Sequence, residues 1–140
     1  MQKDLERAIK IMNEGGFTCV LVKDDKVYTS KERGVKPLLS FFEEGIGQDF
    51  YCADKVVGRG AGFLYLLLKV KAVYAEVLSE EAKSVFDKNG LNYFYGQIVD
   101  RIQNRKKDGL CPIEECVINT EDKEEAYRLI KNRLIELSGK

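Results

Sequence analysis

Three strand-like segments alternate with two helical segments in the middle of the chain, and this alternation constrains the fold more than any other feature. Apolar, β-branched runs at residues 50–57, 72–78 and 91–95 have the length and composition of buried strands. Helical patterns at 61–69 and 79–89 separate these runs. Because crossover connections of this kind are right-handed, we expect the three strands to be parallel neighbours in one sheet.

The segment before this alternation predicts a helix, a β-hairpin and a second helix. An amphipathic helix ends near Gly15, and strand-like runs follow at residues 17–22 and 26–30. The next helix begins near Pro37 and ends near Gly45. The hairpin adds two strands at one side of the sheet, so the sequence predicts an α/β fold with a five-stranded mixed sheet covered by helices.

The chain of 140 residues predicts one domain, with a core at residues 1–96 and a helical extension at 97–140. The extension begins with a predicted helix and closes with a second one, for which Thr120 is the expected N-cap. The apolar residues of the first predicted helix are Ile98, Val99 and Ile102.

Composition excludes several classes of protein. Lys plus Arg and Asp plus Glu each number 23, so nucleic acid is not an expected partner. The longest apolar stretch, 61–68, is too short to span a bilayer, and the N-terminus lacks the pattern of a signal peptide. The four irregularly spaced cysteines do not suggest a disulfide framework, which favours a cytoplasmic location. The many charged residues are typical of a thermophile's protein.

The order of the predicted elements resembles the cytidine deaminase fold, a three-layer α/β/α sandwich. The stretches 54–62 (DKVVGRGAG) and 73–77 (VYAEV) are similar to those of a small uncharacterised prokaryotic family that shares this fold and lacks its zinc motifs. The resemblance implies the strand order 2-1-3-4-5, with strands counted along the chain, and extra C-terminal helices.

Both halves of the deaminase metal site are missing from the sequence. Zinc deaminases place His or Cys, one residue and then Glu at the first of two helix starts, and Pro-Cys-x-x-Cys at the second. The matching segments here are 33–37 (RGVKP) and 58–62 (GRGAG), and the chain has no histidine. Zinc catalysis needs about three protein ligands and an open water position. We therefore predict no metal site, no cofactor and no zinc-dependent deaminase activity.

A glycine-rich loop is the first candidate site. Gly58, Gly60 and Gly62 follow a predicted strand and precede a predicted helix, where backbone amides bind anions. Arg59 adds a cation suited to phosphate or carboxylate. Asp54 is a candidate ligand for a ribose hydroxyl, or a partner that orients Arg59. The alternatives are that the glycines only permit a tight turn and close helix packing, and that Asp54 is a solvated turn carboxylate.

The second candidate site is the segment between Cys111 and Cys116, in which Pro112 predicts the start of a short helix. A thiol at the N-terminal edge of a helix is activated because the helix dipole stabilises the thiolate. Cys111 is therefore a candidate nucleophile or redox thiol, with Glu114 or Glu115 as its base if burial raises the pKa of that carboxyl. A structural or capping role is the alternative. That this segment folds back over the Gly58 loop is a hypothesis that would unite the two sites.

Three functions fit these patterns. The first is metal-independent binding of a phosphorylated or nucleotide-like small ligand at the loop 58–62. The second is an enzyme that depends on Cys111 and acts on an unspecified substrate. The third is a non-catalytic scaffold or interaction module, for which homo-oligomerisation through exposed helices is natural.

Overall fold

The computed structural model describes residues 3–104, 106–107 and 109–139. It has a helix, a hairpin and a second helix, followed by three strands with one helix in each connection and by two C-terminal helices. The helices are α1 Lys3–Gly15, α2 Lys36–Glu43, α3 Arg59–Leu68, α4 Glu80–Asn89, α5 Pro112–Cys116 and α6 Lys123–Ser138. The strands are β1 Cys19–Lys23, β2 Lys26–Ser30, β3 Tyr51–Val57, β4 Ala72–Ser79 and β5 Asn92–Val99.

The five strands form one mixed sheet in the order β2-β1-β3-β4-β5, as predicted. Strand β1 is antiparallel to both β2 and β3, whereas β3, β4 and β5 are parallel to one another. The register places Cys19 opposite Asp54 across β1 and β3, and Ala75 opposite Asp54 across β3 and β4. Asp54 therefore lies in a central strand with a neighbour on each side.

Helices cover both faces of the sheet. On one face α1 packs Ala8 and Met12 against Val20, Val22 and Ala53 of β1 and β3. On the other face a larger core joins β1, β3 and β4 to the remaining helices. Its fully buried side chains include Leu21, Leu38, Leu64, Tyr65, Phe86 and Ile130.

Helix α3 is buried along almost its whole length because it packs between the sheet and other helices. It contacts α2, α4 and α6 as well as β3. The apolar composition on most of its faces predicts this position. Gly62 packs on α4, but a Cβ atom there would lie 3.6 Å from Val85 and 3.7 Å from Phe86, which are ordinary contacts. The packing of α3 on α4 therefore does not require a glycine at position 62.

The structure corrects the predicted start of the C-terminal extension. The helix predicted to carry Ile98, Val99 and Ile102 is wrong, because β5 continues to Val99, which pairs with Ser79 of β4. The β-branched residues and the hydrogen bonds offered by β4 favour a strand over the local helical spacing. The N-cap of α6 is Asp122 rather than Thr120, and the Asp122 carboxylate accepts a hydrogen bond from the Glu125 amide.

Within residues 3–104, 106–107 and 109–139, none of the helices has both the length and the apolar character needed to cross a membrane.

Candidate functional site

A cavity of about 520 Å³ lies beside the carboxyl end of β3. Its walls come from the start of β1, from β3, from the N-terminal ends of α2 and α3, and from the segment that leads into α5. Both sites predicted from the sequence contribute to it, since Asp54 and Gly58 line it together with Cys111 and Glu114. The hypothesis that the Cys111 segment folds back over the Gly58 loop is thus confirmed.

The anion-binding end of α3 holds a carboxylate that belongs to the chain itself. The backbone N–H of Arg59 donates to Oε1 of Glu114 at 2.6 Å, and the N–H of Gly60 donates to Oε2 at 2.8 Å. Glu114 is buried; its burial raises the pKa of the carboxyl, while the two amides act to lower it. The prediction of an anion-binding helix start is chemically sound, and the carboxyl of Glu114 takes up the two amides there.

Gly58 and Gly60 make room for this carboxylate and its segment. The backbone of Gly58 is extended, with φ −103° and ψ −172°, a conformation open to any residue. A Cβ atom at Gly58 would lie 2.6 Å from Cδ of Glu114, and one at Gly60 would lie 3.0 Å from Cγ2 of Ile113. Gly58 is therefore needed for the close approach of Glu114 and not for a special turn.

The guanidinium of Arg59 is directed at the linker between α5 and α6. Its Nε donates to the carbonyl of Val117 at 3.0 Å, and its Nη2 donates to the carbonyl of Thr120. The same Nη2 forms an ion pair with Glu121 at 2.9 Å, and the guanidinium lies 5.1 Å from the centre of the Phe63 ring. Arg59 and Glu114 thus connect α3 and the C-terminal segment in both directions. The ligand contact predicted for Arg59 would have to compete with these bonds.

Asp54 lies in β3 and is buried, with 7% of its surface exposed, so the alternative of a solvated turn carboxylate is wrong. Its Oδ2 accepts a hydrogen bond from the Tyr65 hydroxyl at 2.6 Å, and its Oδ1 accepts one from the Val56 amide at 3.3 Å. No ion pair reaches it from any cation of the described residues. Burial without a cation raises the pKa of Asp54 to about 7. A carboxyl that titrates near neutrality beside a cavity is a typical feature of a functional site.

Tyr65 is a site residue that the sequence analysis missed. Its hydroxyl donates to Asp54 and lies 3.7 Å from Sγ of Cys19, whose thiol pKa is raised by burial. Cys19 and Cys52 are both buried, as predicted. The sequence feature that could have identified Tyr65 is that it is the one tyrosine in the apolar helix α3. A buried Tyr usually directs its hydroxyl at a polar partner.

Cys111 is half-buried and is the residue before α5, which does begin at Pro112. The helix has only five residues, so its dipole offers little activation to the thiol. Glu114 lines the same cavity as Cys111, but each of its oxygens accepts a backbone amide. The Cys116 thiol donates to the carbonyl of Ile113, and burial raises the pKa of Cys116 to about 11.

Arg33 is a second residue that the sequence analysis did not single out as a ligand contact. It is exposed on the loop before α2 and lines the cavity. Its guanidinium makes no ion pair with the described residues. The described part of the chain also contains no group of three or more Cys, Asp or Glu side chains placed to hold a metal ion.

These features define an α/β domain with a five-stranded mixed sheet and a ligand-sized cavity at the carboxyl end of β3. The chain belongs to the family described as TM1506, domain of unknown function DUF1893, whose family model matches residues 7–134. A crystal structure of a DUF1893 family protein, TM1506 from Thermotoga maritima, is similar to it at 24% sequence identity and a TM-score of 0.88. The match covers 95% of this chain and 92% of that one, and it shows a shared fold. No curated protein matches the chain.

Proposed function

We propose that this protein binds a small phosphorylated or nucleotide-like ligand in the cavity beside the loop 58–62, without a metal ion. The observation that carries this proposal is the cavity itself, whose volume of about 520 Å³ is in the range usual for small-molecule sites. It also lies at the carboxyl end of a parallel strand, where open α/β sheets commonly bind ligands.

One exposed cation in the wall of the cavity, Arg33, suits an anionic group of a ligand. Arg33 offers a planar guanidinium that suits phosphate and has no ion-pair partner among the described residues. Apolar side chains, including Val35, Ala61 and Ile113, also line the cavity, as do the carboxyls of Asp54 and Glu114. Since Glu114 already occupies the amides of α3, we assign the phosphate contact to Arg33.

A deaminase-like classification of the fold is part of the proposal. It is supported by the order of the elements and by the strand order β2-β1-β3-β4-β5. The N-cap residues of two helices, Val35 of α2 and Gly58 of α3, both line the cavity. The resemblance implies metal ligands at these helix starts, but this chain carries residues there that cannot ligate zinc. A cytoplasmic location is proposed as well, because four free thiols suit a reducing compartment.

Calorimetry with nucleoside monophosphates and with inorganic phosphate tests the proposed binding. We expect at least one nucleotide to bind, and Arg33→Ala to weaken it by about 10-fold or more, since a charge-assisted contact is lost. Arg128→Ala is the matched control, because Arg128 is exposed on α6 and does not line the cavity. The proposal fails if no nucleotide binds at millimolar concentration, or if both variants bind as the wild type does.

A Cys111-dependent enzyme is the second candidate, favoured by the position of Cys111 in the wall of the same cavity. It predicts that iodoacetamide labels Cys111 fastest near neutral pH. Cys116 is the internal reference, because it is also half-buried and its pKa is raised to about 11. Equal labelling of the two thiols would remove this candidate. If both candidates fail, the scaffold or interaction module is the function that is left.

A further inference from the structure

The carboxyl of Asp54 has hydrogen-bonding capacity that the protein leaves unused. An ionised carboxylate offers about four lone-pair positions on its two oxygens. The Tyr65 hydroxyl uses one position on Oδ2, and the Val56 amide uses one on Oδ1. The Lys55 amide also acts to lower the pKa of Asp54, but it donates its hydrogen bond to the carbonyl of Thr18 at 3.0 Å. Each oxygen therefore retains acceptor capacity, and Asp54 lines the cavity.

No cation in the part of the chain that the structure describes pairs with Asp54, so burying its negative charge lowers the stability of the folded protein. A buried charge is unfavourable unless it is paired or fully hydrogen-bonded. Three buried groups interact electrostatically with Asp54, namely Tyr65 on α3, Cys19 on β1 and Cys52 on β3. All three are acids whose pKa values are raised by burial, so none of them supplies a positive charge. Two cations among the described residues line the cavity, Arg33 and Lys55, and neither forms an ion pair with Asp54. The other titratable groups in its walls are Glu114 and Cys111. A ligand that brings N–H donors to this carboxylate would supply what the fold does not.

We propose that Asp54 recognises the ligand through two adjacent N–H donors, the pattern that the amide N–H and the exocyclic amino group of guanine present. This inference rests on the proposed function, since it assigns the base of the nucleotide-like ligand. Two parallel N–H donors match the two oxygens of one carboxylate. Arg33, which we assign to the phosphate, and Asp54, which we assign to the base, both line this cavity.

Glu114 is the competing carboxylate, and its geometry argues against the same role. Both of its oxygens accept backbone amides, at 2.6 and 2.8 Å, and it fixes the end of α3. A base that took those positions would leave two buried N–H groups without partners. Asp54 can bind two further donors without breaking a bond that the structure shows.

Calorimetry with guanosine 5′-monophosphate and inosine 5′-monophosphate tests the inference, because inosine lacks only the exocyclic amino group. At about pH 8, where Asp54 is ionised, we expect the guanine nucleotide to bind about 10-fold or more tightly, the loss typical of one hydrogen bond to a charged group. At about pH 6 the preference shrinks, because Asp54 takes up a proton and loses one acceptor. The phosphate titrates equally in both nucleotides, so the ratio of their affinities isolates the base.

Asp54→Asn, which replaces one acceptor oxygen by a donor at the same size, should abolish the preference. Both affinities should fall, because both nucleotides donate the amide N–H to this residue, and the affinity for the guanine nucleotide should fall further. Glu115→Gln is the control, because Glu115 is exposed beside Glu114 and should keep the preference. If the two nucleotides bind equally to the wild type, or if Asp54→Asn keeps the preference, the inference is overturned while the proposed function stands. If neither these nor the other nucleoside monophosphates bind, the proposed function falls with it.

Discussion

Two carboxyl groups line the same cavity and differ in how the fold satisfies them. Glu114 comes from the short helix α5 and accepts two backbone amides at the start of α3. Asp54 comes from the central strand β3 and accepts a phenol and one backbone amide. Burial raises the pKa of both groups. Only Glu114 accepts hydrogen bonds from a helix N-terminus on both of its oxygens.

The difference separates a carboxyl that the fold satisfies, Glu114, from one that we propose to contact a ligand, Asp54. Glu114 joins α3 to the C-terminal segment, and Arg59 makes the reciprocal connection to the carbonyls of Val117 and Thr120. Removing either residue exposes unpaired polar groups on the other segment. Asp54 forms no ion pair with another segment of the described chain, so its ionised form lowers the stability of the folded protein. The oxygens of that ionised carboxyl can still accept hydrogen bonds from a ligand.

The largest effect is expected from Arg59→Ala, which removes the cation on the Glu114 side of the comparison. We expect the free energy of unfolding to fall by about 3 kcal/mol, because two buried carbonyls lose a charged donor. Urea unfolding measures this value. Lys88→Ala is the control, since Lys88 is the other cation beside Glu121, at 3.6 Å and mostly exposed. An equally small loss in both variants would contradict the role of Arg59, because its hydrogen bonds to the two carbonyls would then add no more stability than an exposed ion pair.

Gly58→Ala tests whether the room for Glu114 is essential. The added methyl group would meet the Glu114 carboxyl, so we expect a loss of about 2 kcal/mol from the displaced hydrogen bonds. Gly62→Ala is the matched control, because its Cβ atom would make ordinary contacts at 3.6 Å. Alanine in a helix should leave that variant unchanged or slightly more stable. Equal stability of the two variants would contradict the close approach of Glu114.

Tyr65→Phe sharpens the comparison on the Asp54 side. Loss of the phenol donor should lower the free energy of unfolding by about 1 kcal/mol at about pH 8, where Asp54 is ionised, and by less at about pH 5. The reason is that this donor acts to lower the pKa of Asp54. Tyr127→Phe removes a similar bond to Glu43 at the surface and should cost little at either pH. A loss that does not depend on pH would place the role of Tyr65 in packing alone.

The sheet could be predicted from the sequence because each strand and helix carries its own local pattern. The three parallel strands follow from the alternation over residues 50–95, and β5 was cut short only because its last residues also fit a helical spacing. The helix start at Gly58 was predicted as an anion site for a sound reason. What local patterns do not contain is the identity of the anion.

Glu114 and the Gly58 loop are more than fifty residues apart, and only the folded chain brings them together. The same holds for Tyr65 and Cys19, which meet across two elements. Glu114 and Asp54 were both predicted as site residues, the first as a base and the second as a ligand contact. Which of them the fold satisfies depends on hydrogen bonds between distant segments, and no spacing in the sequence encodes those bonds.

The most direct test compares Glu114→Gln with Asp54→Asn, the same chemical change at the two carboxyls, by urea unfolding at about pH 8. Because the pKa of Asp54 is raised to about 7, the folded protein binds more protons than the unfolded chain below that value. Its stability therefore falls as the pH rises from about 4 to about 7. Asp54→Asn should remove the loss of stability that Asp54 causes between about pH 4 and about pH 7. The free energy of unfolding of this variant should therefore be higher than that of the wild type by about 1 kcal/mol at about pH 8. Glu114→Gln should lower it by about 2 kcal/mol, since one amide loses its acceptor. Changes of the same sign in the two variants would contradict the distinction between Glu114, whose carboxyl the fold satisfies, and Asp54, whose charge the fold leaves without a cation.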